Sequence, residues 1–196
     1  MAYEIIVFGH SLVRRLRDFT VQDKQYNLNL DKDVYSIFWV TRGGLHLENL
    51  DDEVETVKDL KPDALILDLG ANDLDGKDAD PQFVAKQVIN LAVYLADLTK
   101  HGVVFVVQAY HRLKPRTENY ETTLPVFNAY LKEGCEQATC EHYRIIYWPH
   151  RNLTQNWEQF MLPDGIHFNV TGLQRYRRSI RGAVLKAKQQ VDVIRQ

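Results

Sequence analysis

Residues 64–70 read ALILDLG, an apolar run broken only by Asp68 and the closing Gly70. So short and continuous a run has the pattern of a strand covered on both faces, as in a parallel sheet; a half-exposed strand would alternate. Working outward, YEIIVF (3–8), DVYSIFWV (33–40), VVFVVQA (103–109) and YRIIYW (143–148) repeat that pattern. Helical patterns fill the intervals. One runs from Ser11 to about Phe19, and in the next Leu45, Leu47, Leu50, Val54, Val57 and Leu60 recur at helical spacing. The others span Pro81 (a residue suited to a first helical turn) to Lys100, residues 123–140, and Thr171 to Val193. Strands alternating with helices predict parallel pairing through right-handed crossovers, hence an α/β sandwich that takes up residues 1–196 as a single domain.

In open sheets of this kind ligands bind beyond the carboxyl ends of the strands. The loops there read FGHSL (8–12) after strand one, TRGG (41–44) after strand two, GAND (70–73) after strand three and LPDGIHFN (162–169) after strand five. Acyl transfer is the chemistry these groups share. Ser11 opens a helix, where a hydroxyl is exposed and the backbone N–H lacks a helical partner. A serine nucleophile needs a base and a group that orients the base. Asp164 and His167, three apart in a turn, can bring a carboxylate to one ring nitrogen and leave the other for Ser11. The backbone N–H groups of Ser11 and Gly44 and the side-chain amide of Asn72 would then receive the oxyanion. Singly, each has an ordinary structural reading as a helix cap, a turn or a surface histidine. Their order, spacing and shared strand-end placement point together to a site.

The stretches VFGHSL, TRGGLHL, LGAND and LPDGIHFNVTG, spanning residues 7–172, resemble the SGNH hydrolases, the GDSL esterase/lipase superfamily. The resemblance implies a flavodoxin-like three-layer α/β/α sandwich with a five-stranded parallel sheet in the order 2-1-3-4-5. It also implies ester or thioester hydrolysis without a metal, and no cofactor is expected. Ser11 becomes the nucleophile, His167 the base, Asp164 its partner, and Gly44 and Asn72 oxyanion donors, with Gly43 the alternative to Gly44 at a one-residue shift. One departure stands out: the family usually carries aspartate before the nucleophile, and this chain has His10, a candidate modulator of Ser11. With no stretch available for a sizeable lid, a small ester, such as an acetyl ester, is the expected substrate.

The formal charge of −2 hides an asymmetry, with 11 Lys and Arg against 18 Asp and Glu in residues 1–100, and 13 against 8 thereafter. Much of the positive charge lies on the last predicted helix, beside the apolar stripe of Leu173, Tyr176, Ile180, Val184, Ala187 and Val191. Arg175, Arg178 and Arg181 there suggest an alternative role, an SGNH-like binding module for nucleic acid or another anion. Arg14, Arg15 and Arg17 could join such a surface or steer an anionic substrate. The acidic run Asp73–Asp80 lacks the glycine and glutamate of a calcium loop and reads as solvated, and the histidines show no metal-ligand spacing. Cys135 and Cys140, five apart in one predicted helix, make no disulfide framework. No apolar run approaches the roughly 20 residues of a membrane span, and the first residues do not follow the order of a secretory signal. These features predict an intracellular, cytoplasmic protein of undetermined oligomeric state.

Overall fold

A computed structural model of the chain describes residues 2–151 and 153–196. Five strands, β1 (Tyr3–Gly9), β2 (Tyr35–Thr41), β3 (Ala64–Asp68), β4 (Val103–Val107) and β5 (Arg144–Trp148), form an all-parallel sheet in the order β2-β1-β3-β4-β5. The helices are α1 (Ser11–Gln22), α2 (Asp51–Leu60), the short α3 (Ala71–Leu74), α4 (Pro81–Leu98), α5 (Tyr120–Ala138) and α6 (Val170–Ile194), with a 3-10 turn at Trp157–Phe160.

The continuous apolar runs are explained by cover on both faces. Ile5 and Val7 of β1, Ile66 of β3 and Phe105 of β4 pack on the side of α1 and α6 with Leu16, Tyr176, Ile180 and Val184. Ile6, Phe8, Leu65, Leu67, Val104 and Val106 point the other way, into a core shared with α2, α4 and α5. This is the three-layer sandwich in the predicted order. Strand order reverses between β1 and β3, so their carboxyl ends diverge into a crevice. Gly9 permits the close approach beneath it, because a Cβ there would lie 2.5 Å from both the Asp68 carbonyl oxygen and Val13 Cγ2.

Two helix expectations need correction. The apolar spacing from Leu45 to Leu60 predicts one helix, but α2 begins only at Asp51. Residues 45–47 are held outside it by side chains of α3: Asn72 Nδ2 donates to the Leu45 carbonyl at 2.9 Å, and Leu47 N donates to Asp73 Oδ1 at 3.0 Å. Asp51, Asp52 and Glu53 then favour a helix start through the dipole. Cys140 lies beyond the end of α5 and is exposed, whereas Cys135 is buried within it.

Candidate active site

Ser11 is the first residue of α1, where its amide has no partner within the helix. His10 is the N-cap, its Nδ1 accepting the Leu12 N–H at 3.4 Å. Across the crevice, the β5–α6 connection carries Asp164 and His167 on a turn in which Gly165 adopts φ +71°. That turn is tied down by Leu162 N donating to the His167 carbonyl and Leu113 N to the Gly165 carbonyl, both at 2.7 Å.

Three side chains meet there. Ser11 Oγ lies 3.0 Å from His167 Nε2, and His167 Nδ1 lies 2.9 Å from Asp164 Oδ2. A carboxylate can only accept, so the proton resides on Nδ1 and leaves Nε2 bare toward the serine. The other Asp164 oxygen accepts the Ile166 and His167 amides, each at 2.9 Å. Partial burial pushes the Asp164 carboxyl up, but those two amides and the imidazole outweigh it and hold the group at about 2. Asp164 is therefore a fixed negative charge throughout the neutral range. The site is open, with 42% of the Asp164 side chain and 19% of His167 exposed.

Asn72 sits on α3, half-buried, with both ends of its amide assigned. Its Nδ2 donates to Leu45, and its Oδ1 accepts from an Arg112 guanidinium nitrogen at 2.9 Å. The second Nδ2 hydrogen is the one left for another acceptor. The other limb of Arg112 meets Asp75 Oδ2 at 2.5 Å, with both side chains buried. Asp75 Oδ1 further accepts the amides of Arg116 (2.8 Å) and Thr117 (3.0 Å). The acidic run is thus not uniformly solvated: Asp75 is an internal anchor, Asp73 pins the 45–47 segment, and Asp80 caps α4. Arg112, in the loop after β4, is missed by the sequence reading, which draws no candidate from that loop.

Gly44 has φ +68°, a conformation unfavourable to side chains, and a Cβ there would meet no atom within 4 Å. At Gly43 a Cβ would lie 2.9 Å from the Arg14 guanidinium. Among the described residues, no three His, Cys, Asp or Glu side chains cluster so as to hold a metal ion.

Residues 8–175 match the GDSL-like lipase/acylhydrolase family. The chain belongs to that family. Its fold also resembles solved structures at low sequence identity. A mutant acetyl esterase with acetate ion aligns with TM-score 0.72 at 13% identity, covering 98% of this chain and 100% of the other. A carbohydrate esterase family 3 structure from Talaromyces cellulolyticus aligns with TM-score 0.70 at 13% identity over 95% and 99% of the two chains. A lipase/acylhydrolase from Enterococcus faecalis aligns with TM-score 0.66 at 14% identity over 98% and 97%. No curated protein sequence matches the chain.

His10, beside the nucleophile position, lies in a buried polar cluster. It is buried, and burial, reinforced by the Arg112 guanidinium, lowers its pKa to about 3. Its Nε2 lies 3.5 Å from Asp68 Oδ1, but a neutral imidazole forms no ion pair there. Asp68 is itself raised to about 7 by burial, against the opposing hydrogen bond from Tyr176. Behind it runs a buried chain of directed bonds. Trp148 Nε1 donates to Ser179 Oγ at 3.0 Å, and Ser179 donates to His150 Nδ1 at 2.7 Å. His150 Nε2 then donates to the Tyr110 hydroxyl, Tyr110 to Tyr176, and Tyr176 to Asp68 Oδ2.

The basic face of α6 is partly neutralised. Arg177 pairs with Asp23 and Lys188 with Asp192, each at 2.6 Å. Arg175 lies with Cζ 4.3 Å from the Phe160 ring centroid, Arg178 is exposed and Arg181 half-buried. Among the described residues, no helix is long and apolar enough to cross a membrane.

Proposed function

We propose that the chain is a serine esterase for small acyl esters, acetyl esters foremost, with Ser11 as nucleophile. The observation that carries this reading is the hydrogen-bonded sequence Ser11–His167–Asp164, with its ring nitrogens already assigned. As Ser11 Oγ attacks the acyl carbon, its proton passes to His167 Nε2, and the ionised Asp164 stabilises the imidazolium. The Ser11 and Gly44 amides and the free Nδ2 hydrogen of Asn72 receive the oxyanion. Collapse releases the alcohol, protonated by His167, and leaves an acyl group on Ser11. Water, deprotonated at the same imidazole, then frees the acid. No cofactor enters this sequence.

The exposure of Asp164 and the open space at Gly44 favour a short acyl group, since neither provides an apolar tunnel. The names of two similar structures, an acetyl esterase and a carbohydrate esterase, point the same way.

The test is hydrolysis of p-nitrophenyl acetate together with fluorophosphonate labelling mapped by mass spectrometry. Turnover and label should both be present in the wild type and absent from Ser11→Ala. A folded wild type inert to both reagents refutes the reading.

A further inference from the structure

β1 and β3 end side by side. Gly9 is paired with Asp68, and beyond this pair one segment turns into α1 at Ser11 and the other leads to α3, which carries Asn72. The side chains of His10 and Asp68 meet at this fork, each 1% exposed, with His10 Nε2 3.5 Å from Asp68 Oδ1. We infer that Asp68 is a positioning residue for Ser11, acting through His10: its carboxylate keeps the His10 proton on Nε2, which leaves Nδ1 free to cap α1. The role given to Ser11 rests on the esterase reading; the state of the imidazole does not.

Hydrogen-bond valence fixes the proton. The Leu12 amide can only donate, and His10 Nδ1 receives it at 3.4 Å, so that nitrogen carries no hydrogen. Burial keeps the ring neutral, and its one hydrogen therefore sits on Nε2. Among the described residues, Nε2 has no hydrogen-bond partner, and the group it faces is the Asp68 carboxyl. In the opposite tautomer an Nδ1–H would oppose the Leu12 N–H, and a bare Nε2 would oppose an acceptor oxygen. Both contacts would turn from attraction to repulsion. The carboxylate thus selects the tautomer that caps the helix.

Asp68 is held to this task from behind. Its Oδ2 accepts from Tyr176, which leaves Oδ1 toward His10. Its backbone is fixed as well, since a Cβ at Gly9 would lie 2.5 Å from the Asp68 carbonyl oxygen and 3.2 Å from the Asp68 Cβ. The cap in turn bears on Ser11. The His10 carbonyl accepts the first helical bond, from Arg14 N at 3.1 Å. Ser11 Oγ must hold its place 3.0 Å from His167 Nε2 while the Ser11 amide stays free of the helix. A first turn that loosens moves the hydroxyl and the amide together.

Asp68→Asn tests this. With Tyr176 donating to the remaining side-chain oxygen, the new amide group faces His10 Nε2 as a donor. Nitrogen NMR of the His10 ring reads the tautomer at about pH 8.5, above the value of about 7 to which burial raises Asp68. The wild type should show Nε2–H, and Asp68→Asn should show Nδ1–H. On p-nitrophenyl acetate the variant should lose about 10-fold in kcat with KM little changed, because the aim of the hydroxyl matters to attack more than to binding. His10→Asn caps without an imidazole, so in that background Asp68→Asn should change kcat by less than about 2-fold. A wild type with the Nδ1–H tautomer overturns the inference even where Asp68→Asn fails to fold. So does a folded Asp68→Asn protein whose tautomer is unchanged, or an equal loss of kcat in both backgrounds. An inactive wild type that takes no fluorophosphonate refutes the esterase reading instead, for the tautomers are read without substrate.

Discussion

Replacing Arg112 with methionine removes a guanidinium that serves two masters in the structure. One limb closes a buried ion pair with Asp75, and the other holds the Asn72 amide oxygen. Breaking a buried pair by deleting one partner costs about 3–5 kcal/mol, because the remaining charge is left desolvated. Asp75 keeps the Arg116 and Thr117 amides and the Thr117 hydroxyl as donors, so the lower end, about 3 kcal/mol, applies. For a chain of this size the thermal midpoint should fall by about 6–12 °C. The catalytic effect is separate and smaller. Asn72 retains its bond to Leu45 but loses the contact that fixes its carbonyl end, so kcat should drop about 10-fold with KM little changed. Arg112→Lys should keep the charge yet fail to span both partners, restoring stability more than turnover. Calorimetry and steady-state kinetics on p-nitrophenyl acetate read the two quantities independently. An Arg112→Met protein destabilised by less than about 1 kcal/mol, with undiminished kcat, would refute the idea that this guanidinium both anchors and orients.

Asn72→Ala, removing the proposed oxyanion donor itself, should lower kcat by about 10²–10³ while leaving substrate binding nearly intact; an unchanged kcat would exclude the amide from the reaction. Gly44→Ala should cost about 1 kcal/mol for a side chain at positive φ, and its methyl, pointing into open space, should lower kcat/KM for bulky acyl groups more than for acetyl. His10→Asn should preserve the N-cap and unfold later than His10→Ala by about 1 kcal/mol in denaturant titrations; equal losses would show that the Leu12 contact contributes nothing. Acidification should destabilise the fold. His10 and His150 both titrate at about 3 in the native chain, because burial favours the neutral ring, against about 6.5 when unfolded. Between those values the unfolded state binds more protons, and stability falls as pH drops. Asp68, raised to about 7, acts oppositely above its unfolded value. The net of two histidines against one carboxyl approaches one proton toward pH 4.5, so stability falls by roughly 1 kcal/mol per pH unit between about pH 6.5 and 4.5. A thermal midpoint constant across that window would contradict neutral buried imidazoles.

The architecture was readable because its strands are short and covered on both sides. A run such as VVFVV at 103–107 has one sensible environment, and the glycines and polar residues that follow each strand mark the crevice. The same directness applies to Ser11, His167 and Asp164, whose spacing already suggested a serine beside a two-member turn. What escaped was whatever depends on contacts distant in sequence. Leu45 and Leu47 fit a helical period, and only the side chains of Asn72 and Asp73 reveal that their backbone is claimed elsewhere. Asp75 belongs to an acidic run that reads as solvated, and nothing in its neighbourhood announces a buried arginine 37 positions later. The polar groups behind His10 were invisible for the same reason: Asp68, Tyr110, His150 and Tyr176 come from four separate stretches of chain and acquire meaning only once packed.

That buried file of hydroxyls and imidazoles also bears on how α6 finds its place. Apolar stripes are forgiving: a helix can slide by one turn and still present leucines and valines to a sheet. Tyr176 and Ser179 cannot slide with it, since displacement would strand the Asp68 carboxyl, the Tyr110 hydroxyl and the His150 ring without partners in a dry interior. The cost of those orphaned groups works as a ratchet tooth that admits a single register. Because the segment bearing Asp164 and His167 enters α6 directly, the tooth also sets how far that segment reaches toward Ser11.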